Sequence, residues 1–167
     1  FYYKSCQRHV VDPNPNAAIA FSTFTPYLLA KEVNFELKHM LPICETLAAF
    51  RTETSIQHLS FQDCHLGSMC VPALAACLKE NQTVRTLELQ GNLINDDVAG
   101  AVADIIVSAL SLEHLNMDAN GMTRSVAAIL SEAVLKNGGN TTNLMSIEMT
   151  NNYLRQAGVD LLTSAGK

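Results

Sequence analysis

A nine-residue stretch that returns at long intervals limits this chain more than any other feature. It reads HLSFQDCHL at 58–66, TLELQGNLI at 86–94, HLNMDANGM at 114–122 and SIEMTNNYL at 146–154. Aligned on their apolar residues, the four copies share positions 1, 4, 6, 9 and 11 of a repeat. These are Ile56, Leu59, Phe61, Cys64 and Leu66, then Val84, Leu87, Leu89, Asn92 and Ile94. The third set is Leu112, Leu115, Met117, Asn120 and Met122, and the fourth Leu144, Ile147, Met149, Asn152 and Leu154. The starts fall at 56, 84, 112 and 144, giving two intervals of 28 residues and one of 32, where NGGNTT at 137–142 lengthens a turn.

Positions 4 and 6 alternate with polar residues, which predicts a short strand burying two side chains and exposing those between them. The second half of each copy has helical spacing: Leu74 with Leu78, Val102 with Ile106, Leu130 with Val134, and Leu162 in the last. Each copy is therefore a strand, a turn and a helix. In a parallel stack, strands lie about 4.8 Å apart while helices are about 10 Å wide, so the sheet must curve with strands on the concave side and helices on the convex. Each unit then covers its neighbour's apolar edge, and the terminal units need caps.

The pattern resembles the leucine-rich repeat L-x-x-L-x-L-x-x-N/C-x-L, at the long repeat length of the ribonuclease-inhibitor type. The match spans about two thirds of the chain. It implies an α/β solenoid in a horseshoe arc, with four repeats over 56–167 and an N-terminal helical cap plus a degenerate repeat over 1–55. In that family the Asn or Cys at position 9 lies inside the turn, so Asn92, Asn120 and Asn152 are expected to form a buried structural ladder headed by Cys64, pairing backbone groups that burial would otherwise leave unsatisfied. Within the first 55 residues, FYYKSCQRHV has an amphipathic look and VDPNPN reads as a loop. LPICETLAAF at 41–50 reads as the helix of the degenerate repeat, its strand expected near VNFEL at 33–37. This opening resembles those of intracellular leucine-rich-repeat proteins of centrosomes and cilia.

Composition narrows the function classes. With 167 residues, 48% apolar and 16% charged, the chain can bury a sizeable core as one domain. No run of about 18 apolar residues suits a bilayer span, so no membrane association is expected. The sequence opens on Phe1, so no signal peptide is legible, and the missing Met points to a processed chain or part of a longer one. Five cysteines, an odd number, fall mostly inside apolar patterns, which suits a reducing, cytoplasmic setting, with the resemblance adding cytoskeleton or cilium. A net charge of -5, with only Lys4 and Arg8 as a close basic grouping, argues against nucleic acid.

Sharper chemical readings fail on spacing. Cys64, His65, Cys70 and Cys77 include no C-x-x-C pair, and three of the four have structural roles in the repeat. His58 and His114 share a repeat position but stand two strands apart, about 10 Å, too far for one metal. The sequons at Asn81 and Asn140 fall in loops after helices, where the family pattern expects Asn. Met117, Met122, Met145 and Met149 read as core substitutes for Leu. No phosphate-binding or zinc-protease motif is present, so no catalytic residue, metal or cofactor is expected and the chain does not read as an enzyme.

What remains is a surface. Positions 3, 5 and 7 should line the concave face: His58, Thr86, His114 and Ser146; Ser60, Glu88, Asn116 and Glu148; Gln62, Gln90, Asp118 and Thr150. Three carboxylates and no Lys or Arg occur among them, with Asp63 alongside, so the expected partner is a protein with a basic patch. The expected function is a protein-interaction scaffold in a larger intracellular or cytoskeletal assembly. The alternative is a regulator of an enzyme or polymer end, as resemblance to ribonuclease inhibitor, the Ran GTPase-activating protein and the tropomodulin C-terminal domain allows. The fourth repeat is apolar at Ile147, Met149, Leu154, Leu161 and Leu162, and the chain reaches Lys167 within its helix. Further repeats or another subunit are expected to cover that edge.

Overall fold

A computed structural model describes residues 1–30, 35–66, 68–137 and 143–165. Two helices come first, α1 (Tyr2–Arg8) and α2 (Pro15–Thr23), followed by β1 (Tyr27–Leu29) and α3 (Leu37–Ala49). Strand and helix then alternate: β2 (His58–Ser60), α4 (Cys70–Leu78), β3 (Thr86–Glu88), α5 (Ala99–Ser108), β4 (His114–Asn116), α6 (Ala127–Asn137), β5 (Ser146–Glu148) and α7 (Arg155–Ala165). The strands form one parallel sheet in chain order, with Leu28, Leu59, Leu87, Leu115 and Ile147 in a single row. That row up to Leu115, and the next, Ala30, Phe61, Leu89 and Met117, are buried against the helices, with Ile147 half-buried at the end. The main contacts run between neighbours: α1 on α3, α3 on α4, and so on to α6 on α7.

The strand of the first unit stands at Tyr27–Leu29, not near 33–37; Phe35 and Glu36 lead into α3, Leu37 starts it, and Val33 and Asn34 lie outside the described residues. The reason is legible afterwards. Leu28 is buried, but the outward residues Tyr27 and Leu29 are also apolar, so the strand shows no alternation of polar and apolar residues. Pairing is unambiguous: the Gln57 and His58 N–H groups donate to Pro26 O at 2.8 and 2.9 Å, and Ala30 N–H donates to Ser60 O at 2.8 Å. The helix before it begins where its cap predicts, Asn14 Oδ1 accepting from Ala17 N–H at 3.0 Å with Pro15 at the first position.

Every repeat leaves its strand through the same conformation. Position 8 is left-handed in all four copies, with φ of 53° at Asp63, 72° at Gly91, 51° at Ala119 and 55° at Asn151. The turned N–H still reaches the next repeat: Asp63 to Gln90 O and Gly91 to Asp118 O, both at 3.0 Å, and Ala119 to Thr150 O at 2.9 Å. Gly, Asp and Asn tolerate this region, whereas a Cβ without a local hydrogen-bonding group costs about 1–2 kcal/mol there. Ala119 is exposed, so its methyl has little packing to lose. Ala119→Gly is therefore expected to stabilise the fold by about 1 kcal/mol after the entropy of the freer unfolded chain, raising Tm by roughly 3 °C. Thermal melts of the two proteins check this; an equal or lower Tm in the variant means unfolded-state entropy outweighs the strain.

The five cysteines are buried thiols. A hydrogen bond with Cys77, together with burial, pushes the Cys44 thiol well above its ordinary range, and burial pushes Cys6 up as well. Thiols held neutral in this way serve as small apolar side chains rather than nucleophiles. Met117 and Met122 are core residues and Met149 is half-buried, but Met145 is exposed, because position 2 lies at the sheet's entrance edge rather than beneath it. Among the described residues no helix is long and apolar enough to cross a membrane.

Candidate interaction surface

Two sets of residues meet at the strand ends, one inside the turns and one outside. Inside, each position-9 side chain ties its own turn to the preceding one. Asn92 Oδ1 accepts from Cys64 N–H at 3.0 Å and Leu66 N–H at 3.1 Å, while its Nδ2 donates to Phe61 O, Leu89 O and Gln90 O. Asn120 repeats the set one unit on, accepting from Asn92 and Ile94 N–H at 3.1 and 3.0 Å and donating to Leu89 O, Met117 O and Asp118 O. Asn152 accepts from Met122 N–H at 3.1 Å and donates to Met117 O, Met149 O and Thr150 O. At the head of the ladder the Cys64 Sγ–H reaches Ala30 O at 2.9 Å and Gln62 O at 3.3 Å. Asn152 is half-buried where full burial is expected, since among the described residues no repeat stacks beyond β5.

Outside, the strand residues that point away from the helices form the open face of the sheet. Register places Tyr27, His58, Thr86, His114 and Ser146 in one row and Leu29, Ser60, Glu88, Asn116 and Glu148 in the next. Gln62, Gln90, Asp118 and Thr150 continue the face beyond the strand ends, Gln62 and Thr150 exposed and the other two half-buried. Ser60 departs from its expected exposure: it is 8% accessible, a short side chain flanked in register by Leu29 and Glu88. Two side-chain pairs and one main-chain donor tie β4 to β5 across the face. His114 Nδ1 lies 2.8 Å from Ser146 Oγ, Asn116 Nδ2 donates to Glu148 Oε2 at 3.1 Å, and Thr150 N–H donates to Asp118 Oδ1 at 2.6 Å. The His58 ring stacks on Tyr27 at 4.7 Å and 16°, an arrangement that joins an aromatic surface. Tyr27 and Leu29 are the members that the repeat pattern missed; the inward pair Leu28 and Ala30 matches Leu59 and Phe61, but the apolar outward residues mask the alternation.

Other candidates resolve into structure. Asn81, in the first sequon, is 1% exposed, and its Oδ1 accepts from Thr83 and Val84 N–H at 2.9 and 2.8 Å, so it closes a turn; Asn140 lies outside the described residues. Ser5, Arg8 and His9 on and after α1 converge on Glu45 of α3, with Arg8 Nη2 at 2.5 Å from Oε2, His9 Nε2 at 2.8 Å from Oε1, and the Ser5 hydroxyl donating to Oε2. Burial pushes the Glu45 carboxyl up, but the hydrogen bonds from Ser5 and His9 and the charge of Arg8 together hold it below the ordinary range. Ser5 is fully buried, and the trio docks α1 on α3. Among the described residues no group of three or more His, Cys, Asp or Glu is placed to hold a metal ion. A hollow of about 250 Å³ between Tyr2, Asp12, Phe35 and His39 is below the size of most ligand pockets.

No family model matches the chain. The NACHT, LRR and PYD domains-containing protein 4C of Mus musculus is 27% identical over 118 residues, 67% of this chain, and the chain spans 11% of that protein's length. Among solved structures, Leiomodin-1 Actin-Binding Site 2 (ABS2) superposes with a TM-score of 0.53 at 16% identity, covering 73% of this chain and 86% of that one. With the five-stranded parallel sheet and its ranked helices, these likenesses define a leucine-rich-repeat-like α/β fold.

Proposed function

We propose that the chain is a non-catalytic protein-interaction scaffold, a ribonuclease-inhibitor-type leucine-rich-repeat arc. Residues 1–55 form its cap and degenerate first repeat, and 56–167 its four regular repeats. The open face of the sheet is the concave docking surface. The observation that carries this reading is electrostatic: Glu88, Asp118 and Glu148 lie along the face, Asp63 beside it, and no Lys or Arg stands among its described residues. A protein partner presenting a basic patch suits that field; nucleic acid does not. The position-9 ladder holds the face in shape from behind.

The setting proposed is a cytoskeletal assembly, in cytoplasm or cilium; the likeness to an actin-binding site supports only the cytoskeletal part of this and makes actin the first partner to test. A regulator of a polymer end is the second reading, favoured by the same likeness. The outer edge of β5, where Ile147, Met149 and Leu162 are half-buried while their counterparts Leu87, Leu89 and Val102 are buried, is covered in this reading by further repeats or another subunit.

The test is charge reversal. The triple variant Glu88→Lys, Asp118→Lys, Glu148→Lys is expected to associate at least tenfold more slowly with its partner and to lose most of its salt sensitivity. Co-sedimentation with filamentous actin and stopped-flow association at several salt concentrations measure both. Unchanged affinity and salt response would move the docking surface to the helices or the loops.

A further inference from the structure

The two ends of the open face differ in chemistry. At the β1 end, Tyr27 is 54% exposed and Leu29 41%, and the Tyr27 ring lies flat against His58. Beside Leu29 in the same row stand Ser60, the smallest side chain in it, and then Glu88, so the exposed apolar groups of the face gather on β1. Carboxylates begin on β3 with Glu88 and continue with Asp118 after β4 and Glu148 on β5. In the row beyond the strand ends, the Gln90 amide oxygen is buried and has no hydrogen-bond partner among the described residues. The face is therefore apolar at one end and acidic over the rest, without a cation among its described residues.

Resting on the reading of this face as the docking surface, we propose that its occupant is an extended protein segment with one aromatic or aliphatic side chain and two or more Lys or Arg residues, all on one side of that anchor. The apolar side chain packs on β1, against Leu29 and the Tyr27–His58 pair. The basic side chains reach Glu88, Asp118 and Glu148. Strand spacing of about 4.8 Å puts β3 about 10 Å and β5 about 19 Å from β1, and an extended chain rises about 3.3 Å per residue. The basic residues therefore fall about three to six positions from the anchor. The division of labour follows from the physics: a desolvated apolar anchor holds the complex together, while exposed charges set the direction of the segment and speed the encounter. A uniformly basic patch would use only half of this surface.

Selection from a phage-displayed library of random dodecapeptides separates the two claims. Wild-type protein is expected to enrich peptides with a Phe, Tyr, Leu or Met three to six positions from a Lys/Arg pair. Tyr27→Ser with Leu29→Ser, both exposed and so compatible with folding, should keep the basic preference and lose the apolar one. Glu88→Lys with Asp118→Lys and Glu148→Lys should do the reverse. A synthetic consensus peptide should bind wild type at least tenfold more tightly by fluorescence anisotropy than the same peptide with its apolar residue changed to Ser. Basic enrichment without an apolar residue at fixed spacing, or equal affinity of the two peptides, overturns the anchor and leaves the acidic docking face standing. A wild-type pool with no basic enrichment, or one that the charge-reversed protein reproduces, overturns the docking face and the anchor with it.

Discussion

Replacing Asn120 by Leu is expected to lower the stability of the fold by about 2–6 kcal/mol. Asn120 is buried at 5% exposure, and Leu matches its bulk while removing every hydrogen bond it makes. The two amides it accepts from, Asn92 N–H and Ile94 N–H, belong to fully buried residues. Each buried donor left without a partner costs about 1–3 kcal/mol. The three carbonyls that receive its Nδ2 suffer less: Leu89 O, for one, also accepts from Asn92 Nδ2 at 3.0 Å. Against a total stability of about 5–15 kcal/mol this is a large fraction, and Tm should fall by about 5–20 °C. Ser125→Ala, at an exposed position on the outer half of the same repeat, should move Tm by no more than about 1 °C. Parallel melts settle it, and an unchanged Tm for Asn120→Leu means the ladder contributes nothing to stability.

That ladder was expected from the resemblance to the repeat family, and its chemistry suits Asn, whose acceptor and two donors can serve two N–H groups and several carbonyls at once. The left-handed turn beside it was not, since Asp63, Gly91, Ala119 and Asn151 share a conformation and no side-chain chemistry. The strands of the four regular repeats show in sequence because their outward residues are polar. β1 is hidden by Tyr27 and Leu29, the residues that distinguish its end of the face. A strand whose exposed side is apolar loses the alternation that announces strands, so here the unreadable element and the proposed anchor site have one cause. The docking of α1 through Glu45 was also invisible, because it joins residues 36 to 40 positions apart outside any repeat register.

Phe61→Ala is expected to be comparably costly and to act in a different place. Phe61 is fully buried in the row behind β2, and its ring meets Phe35 edge-on with centroids 5.5 Å apart and planes at 68°. Truncating a buried Phe costs about 3–5 kcal/mol in lost burial and cavity formation, and the aromatic pair adds about 0.5–1.5 kcal/mol. Because the main contacts join neighbouring elements, the damage should concentrate where the N-terminal unit meets β2. Hydrogen exchange should therefore quicken first at Ala30 N–H and Phe35 N–H, which bond to Ser60 O and Cys64 O across that junction, while Leu89 and Met117 N–H remain protected. Uniform acceleration across all five strands would instead show one indivisible cooperative unit. The functional consequence follows from the same junction: Tyr27 and Leu29 can present an anchor only while β1 is held in register. An inward-facing substitution that no partner can touch should thus reduce the apolar preference of the open face while leaving the acidic stretch from β3 to β5 in place.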